Sequence, residues 1–66
     1  MREWVLKLTK KERCLVHDYE YILGRRIRDG DEFREIMENA PPEYASMGRR
    51  EFFRKFPDMR KYRVVS

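Results

Sequence analysis

A bracketed segment near the N-terminus constrains this chain more than any other feature. Thr9-Lys10-Lys11-Glu12 matches a capping box, in which a threonine hydroxyl and a glutamate carboxylate satisfy backbone N–H groups reciprocally at a helix start. Gly24 can take a positive φ and so close the same helix. Between these markers, over residues 10–23, Ile22, Leu15, Tyr19, Leu23 and Val16 fall within one arc at about 100° per residue. Leu15, His17, Tyr19, Tyr21 and Leu23 also alternate, as in a strand. The cap and the length favour the helix, although periodicity alone leaves residues 14–28 open between helix and hairpin.

The flanking segments complete the expected architecture. Trp4, Leu6 and Leu8 alternate with Glu3, Val5 and Lys7, the pattern of a half-buried strand over residues 3–8. Asp29-Gly30-Asp31 marks a turn and a helix start, and Phe33, Ile36, Met37 and Ala40 follow as a helical stripe. Pro41-Pro42 stops that helix. A third helix is expected after Ser46 as N-cap, carrying Phe52, Phe53 and Phe56 on one side and ending at Pro57. Tyr62 and Val64 suggest a short C-terminal strand pairing with the N-terminal one. The expected fold class is therefore α+β, with about three short helices and a small sheet that joins the chain ends, in one domain spanning residues 1–66.

Size and cysteine usage then narrow the setting. A chain of 66 residues buries only about 60% of the surface its unfolded form exposes. Cys14 is the only cysteine, so no intrachain disulfide can offset that deficit, and a homodimer would be one way to enlarge the core. The single cysteine implies a reducing, cytoplasmic setting. No apolar run approaches the ~20 residues of a membrane span, and Met1–Lys7 lacks the apolar stretch of a signal peptide. A soluble protein without membrane association is the expectation.

Chemistry has little to work with. Cys14 and His17 share a helical face, the minimum for a thiolate–imidazole pair, but zinc wants four ligands and only these two are of the usual N/S type. Asp29, Asp31, Glu32 and Glu35 do not follow calcium-loop spacing, and an acidic helix start accounts for them. Gly24, Gly30 and Gly48 are isolated, so there is no phosphate-cradling loop. Neither enzymatic activity nor a cofactor or metal is expected.

Charge is the remaining signal. Residues 1–28 carry a net +4, residues 29–45 a net −5, and residues 46–66 a net +5. Arg25, Arg26 and Arg28 follow the first helix; Arg49, Arg50, Arg54 and Lys55 lie in the third; Arg60, Lys61 and Arg63 approach the C-terminus. Guanidinium forks suit carboxylate and phosphate alike. Tyr21 lies across the helix from the apolar arc and is a candidate contact anchor, since tyrosine is enriched at binding hot spots. The expected function is a small regulatory protein that binds and modulates a larger protein, a profile shared by small bacterial regulators and viral inhibitors of host proteins. The alternative is direct DNA or RNA binding through the arginines, with bases stacking on Phe52, Phe53, Phe56 or Tyr62. A phenylalanine-rich helix is, however, a poor reader of a DNA groove.

Overall fold

The computed structural model describes residues 2–63. Among these, 71% are helical and none is in a strand. The order is α1 (Glu3–Leu6), α2 (Lys10–Leu23), α3 (Gly30–Asn39), a 3-10 turn (Pro42–Tyr44), α4 (Arg49–Lys55) and a second 3-10 segment (Pro57–Tyr62). The fold class is thus a small all-helical domain, not α+β.

The central helix forms as its caps dictate. The Thr9 side chain accepts from the Glu12 N–H at 3.2 Å, and Glu12 Oε1 accepts from the Thr9 N–H at 2.9 Å. Gly24 terminates α2 at φ 72°, the left-handed value that favours glycine. Residues 14–28 are therefore helix to Leu23 and irregular loop beyond, with no hairpin. In α3, the Asp29 carboxylate accepts from the Glu32 N–H at 2.8 Å, and the helix ends at Asn39, ahead of Pro41-Pro42. Gly48, not Ser46, is the N-cap of α4. That helix stops at Lys55, and Phe56 adopts a non-helical backbone before Pro57.

The expected sheet is the principal correction. Residues 3–6 form a helical turn, with the Val5 and Leu6 N–H groups bonding to the Arg2 carbonyl. Trp4 and Leu8 pack partly buried against the core as the alternation expects, but the helical turn exchanges the other two apolar residues: Val5 is buried and Leu6 is 55% exposed. Tyr62 lies in the second 3-10 segment. Val64, the other half of the expected C-terminal strand, lies outside the described residues. An alternation of only six residues does not separate a strand from a turn of helix plus a bend, and burial of Val5 decides for the latter.

The core gathers Val16, Tyr19, Ile22 and Leu23 of α2, Ile27 of the following loop, Phe33 and Ile36 of α3, and Ala40, Ala45, Phe52, Phe53 and Met59. Tyr19 is its hub. Its ring meets Phe33 and Phe52 edge-on, and its hydroxyl donates to the Ala40 carbonyl at 2.6 Å. Burial of the phenol, then the negative charge of Asp18, pushes its pKa up to about 12.

Candidate binding surface

Two carboxylates hold the irregular segments against the helices, and they consume part of the expected cationic surface. Glu20 Oε2 accepts from Arg2 at 2.6 Å and from the Ile27 N–H at 2.7 Å, while Arg2 also donates to the Ile27 carbonyl at 2.8 Å. Partial burial alone would raise the Glu20 pKa, but the Arg2 and Ile27 hydrogen bonds and the nearby positive charge outweigh it, and the carboxyl lies below its ordinary value. Glu32 is held below its ordinary value chiefly by the hydrogen bond from Arg25. Arg25 Nη1 donates to Glu32 at 2.9 Å and its Nε donates to the Tyr62 carbonyl. Arg25 is therefore a clamp between the loop, α3 and the C-terminal segment, with its side chain 24% exposed. This departs from its expected place on an open surface.

Most of the other expected contact residues are exposed but differ in how they are held. Arg28 lies 3.5 Å from Asp29 and 3.9 Å from Glu32, and Arg54 lies 3.3 Å from Glu51. Lys55 sits 4.7 Å from the centre of the Tyr44 ring, Lys61 5.2 Å from that of Tyr62, and Arg63 4.9 Å from that of Phe53. Arg26, Arg50 and Arg60 are exposed and meet no carboxylate among the described residues. Phe52 and Phe53 are buried and Phe56 is half-buried, which leaves few ring faces for a base.

Tyr21 stands out of the surface at 65% exposure. Arg49 lies over its ring, 5.0 Å from the centre, and also donates to the Tyr21 backbone carbonyl at 2.6 Å. The two residues belong to the last turn of α2 and the first turn of α4. Cys14 and His17 are exposed on the same helix, and among the described residues no group of three potential ligands is placed to hold a metal ion.

The sequence reading overlooked a cleft of about 300 Å³ lined by Arg2, Val5, Arg13, Val16, His17 and Arg26. Only Arg26 among these was an expected contact residue. Arg13 and His17 are one turn apart on α2, Arg13 beside the apolar arc and His17 nearly opposite it, and that spacing is the one signal visible beforehand. A second cleft is lined by Arg2, Glu3, Trp4, Lys7 and Arg28. Neither includes any of the expected cations of residues 49–63. No helix among the described residues is long and apolar enough to cross a membrane. No family model matches the chain, and no curated protein or solved structure shows a significant similarity to it.

Proposed function

We propose that this chain is a non-enzymatic regulatory protein that binds a larger protein and modulates it. The observation that carries this reading is the stacked pair of Tyr21 and Arg49, two residue types enriched at protein-binding hot spots. The ring is exposed, and the guanidinium over it is itself held by its bond to the Tyr21 backbone carbonyl, which restrains the pair. A restrained anchor loses less conformational freedom on binding. Lys55, Lys61 and Arg63 likewise lie over rings, an arrangement that presents mixed apolar and cationic area rather than a bare cationic track.

Nucleic-acid binding is the competing reading, and Arg26, Arg50 and Arg60 are the cations it would use. Burial of Phe52 and Phe53 leaves only the half-buried Phe56 and Tyr62 of the four candidate stacking rings, which weighs against this reading. Affinity capture in parallel with and without nuclease separates the two readings. A protein retained by the wild-type chain after nuclease treatment, and lost with Tyr21→Ala, supports the proposal. Loss of all captured protein on nuclease treatment refutes it.

A further inference from the structure

The cleft between α1, α2 and the loop after Gly24 has an uneven charge balance. Its lining holds three arginines and a histidine and no acid. Arg2 is neutralised from behind by Glu20, which bonds both of its terminal nitrogens. Arg13 and Arg26 have no such counterpart: neither meets a carboxylate among the described residues. Val5 and Val16 supply an apolar floor beside these charges. The cleft lies at the lower end of the size range of small-ligand pockets.

We propose that this cleft receives an acidic side chain of the partner protein, its carboxylate held between Arg13 and Arg26 and an adjacent apolar side chain resting on Val5 and Val16. The proposal rests on the protein-binding reading above and deepens it. Charge complementarity specifies an anion, because Arg13 and Arg26, neither in an ion pair among the described residues, both line the cleft and each guanidinium can donate a forked pair of hydrogen bonds. The valine floor favours a peptide over a nucleic-acid strand, since an acid flanked by an aliphatic residue offers carboxylate and apolar surface together, whereas a phosphodiester backbone offers repeated charge with no aliphatic neighbour. Arg2 contributes by position. Its bonds to Glu20 and to the Ile27 carbonyl fix the N-terminal segment against the loop that carries Arg26, and so shape the wall of the cleft.

The test is a titration of the isotope-labelled protein, followed by amide and side-chain NMR shifts, with N-acetyl-Leu-Glu-amide as probe. N-acetyl-Leu-Gln-amide, phenyl phosphate and a short single-stranded oligonucleotide serve as parallel arms. The expected result is a saturable shift with the Glu peptide, in the millimolar range, at Val5, Arg13, Val16, His17 and Arg26. The Gln peptide gives none, and Arg13→Gln combined with Arg26→Gln weakens the Glu peptide by about tenfold or more. Unchanged shifts elsewhere in the variant establish that it remains folded. No saturable shift with the Glu peptide, equal shifts with the Gln peptide, or undiminished binding by the folded variant each overturn the proposal. Saturation by phenyl phosphate or the oligonucleotide with the Glu peptide silent also overturns it, assigning the cleft to a phosphate source. None of these outcomes touches the capture of a nuclease-resistant partner through Tyr21, so failure here is distinguishable from failure of the protein-binding reading.

Discussion

Arg49 lies over the ring of Tyr21 and bonds to the Tyr21 carbonyl, joining the end of α2 to the start of α4 at the surface. The ring itself is not part of the core. Tyr21→Ala should therefore change unfolding free energy by no more than about 1 kcal/mol, the scale of an exposed cation–π contact, while abolishing partner capture. Urea denaturation and affinity capture on the same variant check the two halves. A loss of several kcal/mol would show that Tyr21 acts in folding.

Tyr19, two residues earlier, should behave in the opposite way. Tyr19→Phe leaves the Ala40 carbonyl without its partner in a buried setting, and should cost about 1–3 kcal/mol in urea denaturation. Its phenol, pushed up to about 12, should titrate late in an absorbance titration of the native protein. The sign follows from linkage: the raised folded-state value means that stability is fully present below the ordinary tyrosine value of about 10 and is lost as pH rises toward the folded one. Tyr19→Phe should remove this alkaline sensitivity.

The acid limb depends on Glu20 and Glu32. Both carboxyls lie below their ordinary value, so their contribution is present above the unfolded pKa of about 4.3 and is lost as pH falls through the lower folded values. Glu20→Gln should be destabilising by about 1–3 kcal/mol at neutral pH, because it weakens bonds to both Arg2 and Ile27, and should flatten the acid limb of the stability curve. Thermal unfolding followed by circular dichroism between neutral pH and pH about 2 measures both effects.

Much of α2 and α3 is legible in the sequence because their ends are set by adjacent residues: Thr9 with Glu12, Gly24, and Asp29 with Glu32. The N-terminal segment is not. Its alternation fits a strand, and what turns it into a helical turn involves distant partners, Glu20 and Ile27 for Arg2 and Phe33 for Trp4. Arg25 illustrates the same limit at the candidate surface. Its composition-level reading is a free cation, but its bonds to Glu32 and Tyr62 reach residues that no local pattern links to it. The cleft joins Arg13 and His17, one turn apart on α2, to Arg2 and Arg26, which only folding brings beside them.

Gly24 offers a check on the helix boundary. A Cβ there meets nothing within 4 Å, so Gly24→Ala carries only the conformational cost of φ 72°, about 1–2 kcal/mol. Equal stability of the variant would show that α2 ends elsewhere.

Protein binding through Tyr21 is tested most simply by nuclease-treated affinity capture with the wild-type chain beside Tyr21→Ala, each confirmed folded by circular dichroism. The expected result is a specific protein retained by the wild type and absent from the variant. Equal capture by both, or capture that disappears with nuclease, would contradict it.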